Sequence, residues 1–367
     1  MNDPRIDTLA TILVKHSLQL KKGDLFIIRS APTAAPLVTA VYLQAIKAGA
    51  HAHVHLGLEG LPELFYKHAS PHQLRYVSPL SLYEIKNATA QLSIISEDNT
   101  KALTHVDPKK IATVSLAHQH LNRIFLERAA KHQLRWCLTQ YPTNAAAQDA
   151  DMSLDEYEDF LFTAAHATAT QPLRYWKAMY TRQEKIRRQL NTKKTFHITG
   201  TDTDLTLSTK GRKWINCYGR ENFPDGEVFT GPIETSADGH IRYSFPISHG
   251  GREVHDVTLT FQKGKVVKAQ ASQGEDFLKT MIKMDAGAQR LGEFAFGTND
   301  GITHYTKNTL FDEKIGGTIH LALGSGYPET GSINKSGLHW DMVCDLRKNG
   351  SIEADGDLIF KNGRFLF

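Results

Sequence analysis

The texture of the chain changes near Lys193, and that change limits the fold more than any other feature. Before it, apolar runs switch between strand and helix periods. LKKGDLFIIRS (20–30) reads as a turn into a buried strand, APLVTAVYLQAIKAGA (35–50) as an Ala-rich helix closed by Gly49, and HAHVHLG (51–57) as an alternating strand. Strand, helix and strand at this spacing make a βαβ unit, which requires a parallel sheet. Helices are also expected over residues 4–17 and 111–132, and strands at QLSIISE (91–97) and LRWCLTQYPT (134–143). Beyond Lys193 the runs are short and alternating and are cut by Gly, Asp and Asn: FHITGTDTDLTLSTKG, VHDVTLTFQKGKVVKAQAS, GTIHLALG, HWDMVCDL and GDLIFKNGRFLF. That is the pattern of antiparallel sheet. One further helix is expected over EDFLKTMIKMDAGAQRL (275–291).

The expected architecture is therefore an α/β domain with a parallel sheet over residues 1–152. A charged helical connector follows over 153–192. An α+β domain rich in antiparallel sheet, carrying a metal site, fills 193–367. A chain of 367 residues suits more than one core.

Composition removes several function classes. With 41% apolar and 22% charged residues the chain reads as globular rather than disordered. Its net charge is only +4, and no dense basic block stands out beyond KIRRQ (185–189) and GRK (211–213), so nucleic acid is not an expected partner. No apolar run approaches the length of a membrane span, and the acid-bearing N-terminus lacks the apolar core of a signal peptide. Cys137, Cys217 and Cys344 are scattered and form no CxxC, which points to a reducing compartment and a cytoplasmic protein. No GxGxxG follows the first strand, so no dinucleotide site is read.

The chemistry is concentrated in the second half. ENFPDGEVFTGP (221–232) aims Glu227 into the apolar pair Val228-Phe229, an arrangement that a solvated loop does not need. Glu293 sits between apolar residues in LGEFAFGTN, and His320 lies inside the apolar run GTIHLALG. Burying an isolated carboxylate costs several kcal/mol, so such a group wants a cation or a close partner. In LHWDMVCDL, His339 and Asp341 fall at i and i+2 of a strand and share a face, while Leu338, Trp340 and Met342 take the other. Each feature alone has a plain structural reading: a hydrogen-bonded His–Asp pair, a turn acid, a satisfied core histidine. Two Glu, one Asp and two His together raise the metal reading. His51, His53 and His55 also alternate on one strand face, but read as a polar edge strand.

On these residues the chain resembles the thermophilic-type metallo-aminopeptidases, the family of aminopeptidase T, aminopeptidase S and PepS. The likeness runs through GTDTDLTLS (200–208), NFPDGEVFTGP (222–232), LGEFAFG (291–297), NTLFDEKIGGTIHLALGSGY (308–327) and GSINKSGLHWDMV (331–343), and more weakly through LKKGDLFIIRSAP and AGAHAHVHL. The resemblance implies two divalent metals (Zn, Co or Mn) held by Glu227, Glu293, His320, His339 and Asp341. It implies peptide substrates with a free N-terminus, a homodimer, and a catalytic tyrosine at Tyr327 that donates to the developing oxyanion; Glu227 would be catalytic as well as a ligand. The chain departs from the family in DGEVF, in HWDMVCDL and in the short segment from His320 to His339, which leaves the shape of the substrate pocket open. Two other readings stand beside it. One is a mononuclear iron ring-opening dioxygenase of the same fold, using His320, His339 and Asp341. The other is an inactive binding homologue. Retention of both Glu227 and Glu293 argues against each.

Overall fold

A computed structural model of the chain describes residues 3–249 and 252–367. The chain forms two compact units. The first comprises residues 1–173 with 219–223, and the second 174–218 with 224–367. The helical stretch 153–192 is shared between them: helix Leu154–Ala164 lies in the first, and most of helix Pro172–Leu190 in the second.

The first unit is built on β1 (Leu25–Ser30), β2 (His51–Leu56), β3 (Ala90–Ile95) and β4 (Arg135–Gln140), in the order β2-β1-β3-β4 and all parallel. The short strand Asn222–Phe223 continues the sheet beyond β4. Parallel neighbours need long crossovers, and helices Ala35–Lys47 and Pro108–Ala130 supply two of them. β2 is an edge strand, and its three histidines are exposed, as their alternation predicts. His55 pairs with Glu84 at 2.9 Å.

The second unit is antiparallel. An eight-stranded sheet faces a five-stranded one, which consists of β5 (Ile215–Cys217), β6 (Glu227–Thr230), β7 (Leu291–Gly297), β8 (Thr318–Gly324) and β9 (His339–Asp345) in the order β9-β8-β7-β6-β5. One apolar core joins the two sheets, with Phe196, Ile198 and Leu205 from the larger meeting Phe294, Phe296 and Leu321 from the smaller. Phe196 meets Phe294 edge-on with ring centroids 5.5 Å apart.

The helix expected over 275–291 is shorter than its sequence suggests. It spans Glu275–Ile282, and by Leu291 the chain is already in β7. Asp285 Oδ1 accepts from the backbone N–H groups of Gly287 and Ala288 and folds the segment into a turn. Aspartate competes for nearby backbone donors in this way, and so it disfavours a continuing helix. No disulfide joins Cys137, Cys217 and Cys344. Among the described residues no helix is long and apolar enough to cross a membrane.

Candidate metal centre

The five-stranded sheet has two unlike faces. One carries Val228, Phe294, Phe296, Ile319, Leu321, Leu323, Trp340, Met342 and Cys344 into the core. Cross-strand register assigns the other face. Ala322 stands opposite both Glu293 and Asp341, His320 stands between Ala295 and Val343, Gly324 opposes His339, and Gly297 opposes Glu227. All five candidate ligands thus lie on one face of four adjacent strands. Between them the positions are Ala295, Gly297, Ala322 and Gly324, small residues that leave the charged side chains room to converge.

Glu293 reaches that face through an irregularity. The pairing of β7 with β8 shifts between Leu291, opposite Leu323, and Glu293, opposite Ala322. Two steps on β7 answer one on β8, which is a bulge, with Gly292 as the extra residue. A Cβ on Gly292 would lie 2.4 Å from the carbonyl oxygens of both Gly324 and Ser325, so only glycine fits there.

Glu227 is aimed by the turn before it. Gly226 has φ +136°, and a Cβ there would meet that of Asn299 at 2.8 Å. Asn299 Nδ2 donates to Asp225 O at 2.7 Å, and Thr298 N to Gly226 O at 2.8 Å. From helix Pro172–Leu190, the buried Gln183 amide donates to Glu227 O at 2.7 Å and to Cys217 O at 2.8 Å, which ties β6 to β5. Gly226, with Asn299, Thr298 and Gln183 around it, therefore holds the turn that delivers a buried carboxylate.

The side chains close into a ring. His320 Nε2 lies 3.4 Å from Glu227 Oε2 and 3.5 Å from Glu293 Oε1. His339 Nε2 lies 3.5 Å from Glu293 Oε2 and 3.3 Å from Asp341 Oδ2. These separations exceed a charge-assisted hydrogen bond and are those of ligands around a shared centre. Glu227 Oε2, both ring nitrogens of His320 and Asp341 Oδ1 are buried without a hydrogen-bond partner. Orphaned polar atoms of this kind, in a set of imidazoles and carboxylates, fit one or more divalent cations. Their donor atoms fall into three overlapping groups: Glu227, Glu293 and His320; Glu293, His339 and Asp341; and Glu313, His320 and Asp341.

The electrostatics agree. Burial pushes Glu227 up to about 8 and also raises Glu293. Burial alone would drive His320 and His339 down, but the surrounding carboxylates lift them to about 9 and about 10. Asp341 is held at about 2, because His339 and the other cations outweigh its burial. The acids thus gather protons that a divalent cation would displace. His339 is oriented from behind, where Nδ1 lies 2.8 Å from the Ser325 carbonyl, so that Nε2 faces the acids.

Tyr327 stands beside this ring, edge-on to His339 at 5.3 Å and to Phe229 at 5.1 Å. Burial and the nearby carboxylates push its phenol up, so it remains a neutral donor. The structure also places at the centre three residues that sequence reasoning missed. Glu313 belongs to the third donor group. Lys314, directly after it, is fully buried and pairs with both Glu313 and Glu227. His249 packs at a tilt against Trp340 with ring centroids 5.1 Å apart, and burial pushes it down while Asp341 pulls it up. Glu313 and Lys314 follow a one-turn helix, Thr309–Asp312, whose LFDEK text looks like an ordinary amphipathic end. The one available signal was a carboxylate seven positions before His320 inside the stretch that carries the family likeness.

A buried ring of imidazoles and carboxylates on an antiparallel sheet could hold divalent cations. Residues 2–365 match the thermophilic metalloprotease family, M29, and the chain belongs to that family and is a metallopeptidase. It is 27% identical to Aminopeptidase 2 of Geobacillus stearothermophilus, over 100% of this chain and 98% of that one. It is 26% identical to aminopeptidase T of Thermus thermophilus, over 98% and 95%. The solved structure of AmpT from Thermus thermophilus superposes with a TM-score of 0.86 at 25% identity, covering 99% of both chains. A 2,5-dihydroxypyridine dioxygenase from Pseudomonas putida KT2440 shares the fold at a TM-score of 0.57 and 12% identity, over 99% of this chain and 96% of that one.

Proposed function

We propose that the protein is an aminopeptidase that releases N-terminal residues from peptides at a centre for two divalent metals. The observation that carries this reading is the ring itself: Glu227, Glu293, His320, His339 and Asp341, with buried oxygens and nitrogens that no protein group satisfies. Five ligands, three of them anionic, exceed what one tetrahedral ion takes and suit a pair sharing a carboxylate. Glu293, whose Oε1 faces His320 and Oε2 faces His339, would be placed to serve both ions. Divalent ions held there would polarise the scissile carbonyl and lower the pKa of a bound water toward neutral.

The chain's own groups do the rest. Glu227 keeps Oε2 toward the centre as a ligand and is one of the carboxylates able to move a proton there. Tyr327, at the rim with its proton retained, donates to the carbonyl oxygen as negative charge develops on it. A free α-amine, as a neutral ligand or an ammonium among carboxylates, would confine cleavage to the first peptide bond. The same reading carries a homodimer in a reducing cytoplasm, in keeping with three cysteines that form no disulfide.

The test is hydrolysis of matched unblocked and N-acetylated peptides before and after chelation. Cleavage of the unblocked peptide alone, lost with the metal and restored by Zn, Co or Mn, is the expected result. Full activity after verified metal removal rules the reading out, and equal cleavage of both peptides removes the amine requirement.

A further inference from the structure

Lys314 carries a charge that the metal reading does not use. Its side chain is wholly buried, its ammonium lies 3.6 Å from Glu227 Oε1, and it donates to Glu313 Oε1. An ammonium taken out of water persists only when acids surround it. Glu227 and Glu313 flank it, so the buried ammonium is paired with two carboxylates. The decisive point is which oxygens it takes. Glu227 gives Oε1 to the ammonium and keeps Oε2 for the side of His320. Glu313 likewise gives one oxygen. Among the described residues, no ion pair of Lys314 reaches Glu293, His339 or Asp341. The ammonium therefore pairs directly at the Glu227 end of the centre and acts on Asp341 only at longer range.

We infer that Lys314 is a fixed cation that makes the two metal positions unequal. It weakens the position at Glu227, Glu293 and His320 and leaves the one at Glu293, His339 and Asp341 as the tight one. Two effects act in the same direction. An ammonium repels a divalent ion at short range in a water-poor interior. It also competes for Glu227, which then offers the ion a single oxygen. The inference rests on the proposed metal centre and makes Lys314 a positioning residue rather than a catalytic one.

The experiment is a calorimetric titration of the metal-stripped, full-length protein with Zn2+, with a competing chelator to resolve tight steps. The unsubstituted chain is expected to show two steps at least ~10-fold apart, which is about 1.4 kcal/mol. Glu227→Gln should keep the tight step and lose the weak one, while Asp341→Asn should lose the tight one. Lys314→Met should tighten the weak step by about 10-fold or more and leave the tight step nearly unchanged. Should Lys314→Met fail to fold by thermal unfolding, Lys314→Gln replaces it, and the Glu227→Gln and Asp341→Asn comparison stands without either. Two equal steps in the unsubstituted chain, loss of the tight step in Glu227→Gln, or a weak step unmoved or weakened in Lys314→Met each overturns the role of Lys314 and leaves the metal centre standing. Absence of any Zn2+ binding overturns both.

Discussion

Leu291 and Glu293 are two residues apart on one strand yet face opposite sides of the sheet: Leu291 pairs with Leu323 toward the core, and Glu293 pairs with Ala322 toward the metal centre. A regular strand would put both on the same face. The bulge at Gly292 reverses the parity, and the ring of ligands depends on it. Gly292→Ala should therefore act at a distance from its own side chain. Its new methyl would meet two backbone oxygens at 2.4 Å, and neither can move without shifting β8. Overpacking of this kind typically costs about 1–3 kcal/mol. Thermal unfolding should report the loss, and metal titration should show weakened binding. A variant with unchanged metal affinity would mean that the bulge does not set the position of Glu293.

Metal content separates the peptidase from an oxygenase of the same fold. The proposed centre predicts about two divalent ions per chain at saturation and hydrolysis that proceeds equally well without oxygen. Glu227→Gln separates the two further: it should cripple a dinuclear hydrolase, whereas a mononuclear iron site at His320, His339 and Asp341 would stay occupied. Elemental analysis paired with an anaerobic peptide assay decides the matter. One iron per chain, with no cleavage of an unblocked peptide, would end the dinuclear proposal.

Stability of the metal-stripped protein should fall as the solution becomes alkaline. Burial raises Glu227 from 4.5 to about 8. The carboxylate ring, outweighing burial, raises His320 and His339 from 6.5 to about 9 and about 10. Groups raised on folding contribute stability that is complete below their unfolded values and is lost as pH climbs through the folded ones. The stripped protein should therefore weaken from about pH 4.5, where Glu227 begins to lose its proton in the unfolded chain, most steeply above about pH 6.5 where the histidines join it, and the loss should be complete by about pH 10. Bound metal replaces those protons, so the thermal stabilisation from added metal should grow from pH 6.5 upward. Metal affinity itself should fall toward acid as the histidines hold their protons more firmly. Asp341 works in the other sense: its contribution is present above 3.8 and is lost as pH drops toward about 2. Thermal melts across this range, with and without Zn2+, are the check, and a metal-independent pH profile would contradict the arrangement of charges.

Tyr327→Phe should reduce kcat by on the order of 100-fold or more while leaving metal content unchanged, since losing one oxyanion donor has that effect. Its ring contacts with Phe229 and His339 survive in phenylalanine, so the fold should be little altered. An unchanged kcat would assign Tyr327 to packing against Phe229.

Much of this was legible in the sequence because period alone encodes face. The alternation in HWDMVCDL placed His339 and Asp341 together with Trp340 and Met342 behind them, and the fold agrees. The change of texture near Lys193 separated parallel from antiparallel sheet, except that Asn222–Phe223 returns to pair in parallel with β4. Parity arguments fail where a strand slips, so nothing in LGEFAFG alone said that Leu291 and Glu293 part company. Helical periodicity over 275–291 was overridden by the Asp285 turn, a local hydrogen-bond choice that apolar spacing does not record. Glu313 and Lys314 were missed for a third reason. They come from a turn outside the sheet, where neither period applies, and only the folded chain shows an acidic and a basic neighbour both turned inward.

The small residues between the ligands have a consequence for which ions the protein accepts. Ala295, Gly297, Ala322 and Gly324 leave the donors of neighbouring strands with nothing between them except the pitch of the sheet, about 4.8 Å from strand to strand. That pitch is a property of the peptide backbone, common to every sheet, and side-chain substitution cannot stretch it. The centre thus behaves as a gauge cut into a crystal-like lattice. Divalent ions held there would be grasped mainly from adjacent rungs, at a backbone spacing that loop movement does not set.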